Sequence, residues 1–312
     1  MAEHVLSAEP THSRWNRALP PRIAIAPGDS VHMECQDASG AQVRPGMSVP
    51  EYLKIDRGRI HALTGPIFIE GAQPGDVLQI DVVKVAHKGW GWSSVINGLG
   101  FLKERFAEPF FFLWQLDGEV SRSLAPAVVP LRPFCGVMGV APGEDGDFRT
   151  RPPGPFGGNM DVRELSTGAT LYLPVLNPGA LFSTGDAHAA QGDGEVCING
   201  IECPVDVTLR FHVHKNRPLA GPMVETSAAR RQEADEGSWI VVESATDPAA
   251  AARAATSRMI DLLAERWGFS EVHAYLLCSV AMNLRLSQVV NEPMFTVSAA
   301  VPKLVVPRRS LF

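Results

Sequence analysis

Between residues 65 and 85 the chain reads GPIFIEGAQPGDVLQIDVVKV. An apolar run ends at a Pro-Gly-Asp turn, and a second segment alternates. Leu78, Ile80 and Val82 fall on one face, with Val77, Gln79 and Asp81 on the other. That period of two belongs to a strand. The same strand–turn–strand arrangement recurs in RIAIAPGDSVHMECQDA (22–38) and, with Asn-Pro-Gly at the turn, in ATLYLPVLNPGALFS (169–183). VDVTLRFHVHK (205–215) is a further strand. The spacings are irregular, which argues for reused hairpins and against a solenoid or propeller. The later part of the chain changes period. TDPAAAARAATSRMIDLLAERWG (246–268) has Asp247 as N-cap, Pro248 at the first helical position and Gly268 as the stop. SEVHAYLLCSVAMN (270–283) predicts a second helix, and LRLSQVV and MFTVSAAVP predict closing strands.

The pattern predicts a β-rich α+β fold, with multiple hairpins packed as sandwich- or barrel-like layers and two helices in the C-terminal region. No linker interrupts it, so residues 1–312 are expected to form one intertwined unit. With 28 glycines and 25 prolines spread along 312 residues, turns are frequent enough to support that reading. The segment 142–165, PGEDGDFRTRPPGPFGGNMDVREL, has almost no apolar pattern, and a loop of that length is usually functional or disordered.

Charge narrows the function. A net charge of −6 without a basic stripe argues against nucleic acid. No apolar run is long enough for a membrane span, and no secretory leader is evident at the start. The five cysteines are odd in number and contain no CxxC, which is the pattern of reduced thiols in a cytoplasm.

Candidate chemistry concentrates in GDAHAAQGDGE (185–195). On an extended backbone Asp186 and His188 point the same way and could share a divalent ion. Glu195 follows a Gly-Asp-Gly turn and could return as ligand or general base. In FGGNMD (156–161), Gly157 and Gly158 permit close backbone approach, while Asn159 and Asp161 add an amide and a carboxylate. His12 and Trp15 lie in an irregular early segment, and Glu34 and Asp37 at a strand end could complete a metal site. Each set also has an ordinary structural reading, as an acidic turn, a glycine turn or a solvated hairpin end. His212 and His214 share a strand face and read better as polar surface than as ligands. P-loop, GxGxxG and GxSxG signatures are missing.

Taken in order, HSRWNRALPP, PGDSVHMECQDA, LTGPIFIEGAQPGDVLQIDV, PFCGVMGVAP, PGPFGGNMDVREL, LYLPVLNPGALFSTGDAHAAQGDGEVC and NLRLSQVVN make the chain resemble the acetamidase/formamidase family from about residue 12 to 291. The resemblance implies a β-rich homo-oligomer that hydrolyses short amides and holds a divalent metal, zinc or calcium, near Asp186 and His188. It carries Asp186, His188, Gln191 and Glu195 onto the family's most characteristic motif, Gly158, Asn159 and Asp161 onto its glycine loop, and His12, Glu34 and Asp37 onto its N-terminal motif. The expected assignment is Glu195, Asn159 and Asp161 in catalysis. Gly157, Gly158, Gln191, His12 and Trp15 would contact substrate, and Asp186, His188, Asp37 and Glu34 would hold metal. Asn283 in AMNLR stands where many members carry Asp, which bears on specificity. GWGWSS (89–94) and FFFLWQL (110–116) offer aromatic area for an interface or for core. Two rivals remain at this stage: a non-catalytic protein that binds a small molecule or metal, and a metal-independent amidase using Cys135.

Overall fold

The computed structural model describes residues 1–100, 108–123, 129–191, 195, 198–226, 237–269, 282–303 and 306. It is a β-rich α+β fold. The larger sheet has nine strands, in the order Glu3–Leu6, Ser30–Cys35, Val205–His214, Val77–His87, Thr170–Pro174, Met223–Glu225, Ser238–Ala245, Phe295–Pro302 and Asn283–Gln288. The second sheet runs Gly157–Asn159, Phe134–Gly139, Phe182–His188, Leu63–Ile69 and Thr11–His12, with Ile23–Ile25 also paired to Leu63–Ile69. The larger sheet therefore interleaves strands from both ends of the chain.

Alternation along each strand divides the core between two interfaces. Leu78, Ile80, Leu171, Leu173, Leu209 and Phe211 turn toward the second sheet, where Ile67, Ile69, Met138 and Phe182 meet them. Their neighbours Val77, Tyr172, Trp239, Val241 and Val297 face the other way, onto a helix. That helix, Pro248–Trp267, buries Ala251, Ala255, Met259 and Leu263 at spacings of four. Asp247 caps it by accepting the Ala250 N–H at 2.9 Å, and Gly268 ends it at φ +75°. The second helix expected over 270–283 falls mainly on residues 270–281, outside the described residues; Asn283 already begins a strand.

The two aromatic segments form one hairpin, Trp90–Val95 against Phe110–Gln115. Its inner face packs Trp92 and Phe111 on Tyr52, with Tyr52 and Phe111 stacked at 4.7 Å. Its outer face leaves Phe110 exposed and stacked on Phe112. This satellite cluster stands beside the C-terminal end of the strand Phe182–His188, through the bridge partner that Trp92 and His188 share, Glu202.

Candidate active site

The strand Phe182–His188 is buried along its whole length, and it places an aspartate and a histidine where a core strand would carry apolar side chains. Opposite it, the strand Phe134–Gly139 supplies Gly136. Met160 and Asp161 both donate backbone N–H groups to the Gly136 carbonyl, at 3.0 and 3.2 Å. This pins the segment after Asn159 against the strand. A Cβ at Gly136 would clash with the Asp161 carboxylate and come within 2.9 Å of the Asp186 carbonyl. Only glycine lets the two acids approach from either side.

Five ionisable side chains converge here. The ligand atoms of Asp161, Asp186 and His188 lie within 4.8 Å of one another, as do those of His188, Glu195 and Glu202. His188 Nε2 is 3.0 Å from Glu202, and 3.8 Å from both Asp186 and Glu195. His61 Nε2 stands 3.6 Å from Asp186. Asp161, Asp186 and Glu195 all take positive φ, at 52°, 52° and 49°. For residues other than glycine this costs about 1–3 kcal/mol each and clusters at functional sites. It also explains why simple strand alternation does not describe how Asp186 enters the site.

Neighbouring groups orient these side chains. His188 Nδ1 pairs with Gln191 Oε1 at 2.7 Å, and Gln191 Nε2 donates to the Asp161 and Ser287 carbonyls. Gln191 can only accept through Oε1, so Nδ1 carries the proton and Nε2 is left for the acids. Asn291 donates to Asp161 at 2.7 Å. One oxygen of Asp161, one of Glu202 and the Asn159 amide oxygen are buried with no hydrogen-bond partner.

The electrostatics follow from packing acids away from water. Burial pushes Asp161 up to about 7 and Glu202 up to about 8, the nearby Asp186 charge adding to both. Burial and the Asp161 and Glu202 charges likewise raise Glu195 well above the carboxylate range. Burial opposes the charge on Asp186 too, but His61 and His188 outweigh it and hold the group down at about 2. Burial works against a charged His188 as well, yet Glu202 and Asp186 overcome it and raise the imidazole. Four carboxylates and one imidazole with unsatisfied oxygens need protons or a cation. Oxygen and imidazole donors at these separations fit a divalent metal, zinc among them.

The four acids of the cluster, with His188 behind them, form the buried end of a cavity of about 360 Å³, lined also by Asn159, His61, Asn291 and Arg151. Several expected residues lie elsewhere. His12 is held by the Arg14 carbonyl and Ser183 Oγ, both at 2.8 Å, and Trp15 is 1% exposed against Phe156; neither lines the cavity. Gly157 and Gly158 pair with Gly139 and Met138, and the Gly157 N–H is spent on Gly154, so of the strand Gly157–Asn159 only Asn159 reaches the cavity. Asp37 accepts from the N–H groups of Ser39 and Ala41 and from Trp92 Nε1, and so staples a loop beneath the cavity wall. Glu34 points toward Lys88, 3.7 Å away on the outer face of the larger sheet. Neither joins the acid cluster. Cys135 is buried in the core beside Cys35, and no cysteine lines the cavity among the described residues. Asp193 lies outside the described residues.

Glu202 and His61 carry no motif of their own. Glu202 sits in GIECP, and its one sequence signal is a lone acid at the edge of a strand. It reaches the site through isolated bridges to both Trp92 and His188.

A model of the acetamidase/formamidase family matches residues 2–147 and 144–307. The chain is 27% identical to an acetamidase of Mycolicibacterium smegmatis over 62% of this chain and 63% of that protein. It is 28% identical to a formamidase of Methylophilus methylotrophus over 61% and 60%. The matched segments thus span under two thirds of those two relatives. The crystal structure of an acetamidase from Bacillus halodurans superimposes with a TM-score of 0.89 at 34% identity, covering 96% of this chain and 97% of that one.

Proposed function

The chain belongs to the acetamidase/formamidase family, and on that premise we propose that it hydrolyses short aliphatic amides, of the formamide and acetamide type, to a carboxylate and ammonia. The observation that carries this reading is the convergence of Asp161, Asp186, Glu195 and Glu202 around His188, the four acids lining the buried end of one cavity. The curated relatives named acetamidase and formamidase support it.

An amide is a poor electrophile with a very poor leaving group, so the site must both activate water and protonate nitrogen. Glu195 suits the proton transfer. Burial and neighbouring acids raise its proton affinity, which is what a group that takes a proton from water and returns it to nitrogen needs. Asn159 offers an unused amide oxygen, suited to accept from the substrate's NH₂ and fix its orientation. Asn291 and Gln191 hold Asp161 and His188 in place. Asp186, His188 and Glu202 are the residues that would hold a divalent cation, zinc by donor chemistry; bound there, such an ion polarises a carbonyl and acidifies water. With Cys135 outside the cavity, nothing in its lining favours the cysteine mechanism.

Three further statements belong to the same proposal. Residues 1–312 act as one intertwined unit. The protein is cytoplasmic, a reading supported by the buried free thiols of Cys35, Cys135 and Cys203; among the described residues no helix is long and apolar enough to cross a membrane. It is a homo-oligomer, with the exposed outer face of the aromatic hairpin as candidate interface. The test of the function is ammonia release from formamide, acetamide and propionamide, before and after chelation and after adding back Zn²⁺. Release that falls on chelation and returns with Zn²⁺ supports the reading. Turnover of none of these amides by the zinc-loaded protein overturns it.

A further inference from the structure

The cavity is larger than the chemistry proposed for its floor. At about 360 Å³ it falls within the roughly 300–1,000 Å³ that drug-sized ligands occupy, whereas formamide and acetamide would fill only a corner of it. What lines the rest indicates what else the substrate carries.

The lining is polarised. Its buried end is the acid cluster, and its exposed end holds Arg14, Arg57 and Arg149. Arg14 and Arg149 are direct cross-strand partners in the short ladder of Arg14–Trp15 with Phe148–Arg149. Residues so paired have Cβ atoms roughly 4.5–5.5 Å apart, and like charges there repel. The structure supplies little to offset that repulsion. The nearest carboxylate to Arg14 is Asp147, at 3.9 Å and itself exposed. The Arg149 guanidinium has no hydrogen bond or ion pair among the described residues. The Arg57 guanidinium lies 5.4 Å from the Tyr52 ring centroid. These guanidinium groups do not serve the acid cluster either. The leading charges on its four acids are those of one another and of His61 and His188, and the arginine that interacts with Glu195 is Arg151. The rest of the lining mixes polar groups such as Thr150 and Asn199 with the apolar faces of Tyr52, Trp92, Ile96 and Ile198.

Guanidinium forks match carboxylates in geometry and charge. Building on the amidase reading above, we propose that the preferred substrate is a linear amide whose far end carries a carboxylate, held by Arg149 with Arg14 and Arg57 while the amide meets the acid cluster. The reaction stays a hydrolysis. The C–N bond breaks, a C–O bond forms from water, and a dicarboxylate and ammonium leave. A methylene spacer meets the apolar members of the lining, which a one- or two-carbon amide held at the acid cluster leaves largely uncovered.

The experiment compares kcat/KM for glutaramate and adipamate with that for hexanamide and heptanamide, their neutral counterparts of matched length, in the wild-type protein and in Arg149→Gln and Arg149→Lys. The wild type is expected to favour the carboxylated amides by about ten-fold or more. Raising the salt concentration should shrink that preference through KM. Arg149→Gln should lose at least about ten-fold more kcat/KM on the carboxylated amides than on the neutral ones, chiefly through KM, and Arg149→Lys should recover part of the difference. Equal kcat/KM for the two classes in the wild type overturns the inference and leaves the amidase reading intact, as does an equal loss on both classes in Arg149→Gln. Hydrolysis of no amide in either class removes both.

Discussion

Replacing Glu202 by Gln tests whether the acid cluster is strained in the absence of a cation. The substitution keeps the shape of the side chain and removes its charge. Burial first, and then the charge of Asp186, raises Glu202 from its ordinary 4.5 to about 8. The unfolded chain therefore gives up this proton at lower pH than the folded one. Stability tied to Glu202 is complete below about 4.5 and is lost as pH climbs through about 8. A shift of that size corresponds to a ceiling of about 5 kcal/mol at 1.36 kcal/mol per unit. Effective screening inside proteins brings the expectation to about 1–3 kcal/mol. Urea unfolding of chelator-treated protein, followed by tryptophan fluorescence, reads the difference. At pH 8 Glu202→Gln should be more stable than wild type by about that amount, and near pH 5 the two should converge. Saturating Zn²⁺ should reverse the order, because the variant lacks a ligand that the wild type offers. A cation-free variant that is less stable than wild type at pH 8, or a difference that does not change with pH, would refute the electrostatic reasoning.

Other consequences are equally direct. His188→Ala should keep its fold and lose bound metal and turnover together; full metal occupancy by elemental analysis would remove His188 from the ligand set. Gly136→Ala should cost at least about ten-fold in kcat, because its methyl group would occupy the place of the Asp161 carboxylate; near-normal kcat would show that Asp161 is dispensable. Light scattering at micromolar concentration should give a multiple of the chain mass, and a single-chain mass would overturn the homo-oligomer proposal.

Much of the fold can be read locally. Pro-Gly-Asp and Asn-Pro-Gly turns are chemical signals that need no partner, and the helix Pro248–Trp267 carries both of its boundaries in Asp247, Pro248 and Gly268. Asp186 and His188 are legible for a similar reason: an acid and a histidine two apart on an otherwise small-residue strand have few structural uses. Glu202 and His61 are not legible, because they approach through strand order and through isolated bridges, which no local pattern encodes. Glu34 illustrates the converse. Its position near a strand end is as suggestive as that of Asp186. In the sheet its side chain falls on the outer face, beside Lys88 and Asp206. His12, Trp15 and Asp37 are bound into loops and core in part by residues far along the chain, Ser183 for His12, Phe156 for Trp15 and Trp92 for Asp37. Of the rim arginines only Arg149 falls in the stretch 142–165, and the fold alone brings it to one cavity with Arg14 and Arg57.

The measurement that bears most directly on the central claim is the turnover of Glu195→Gln at metal content matched to wild type, followed as ammonia release from acetamide. The account assigns Glu195 the proton traffic between water and the leaving nitrogen. It predicts an intact fold, normal metal binding and a kcat lower by about 10²–10⁴-fold. A variant that turns over acetamide at close to the wild-type rate would contradict it.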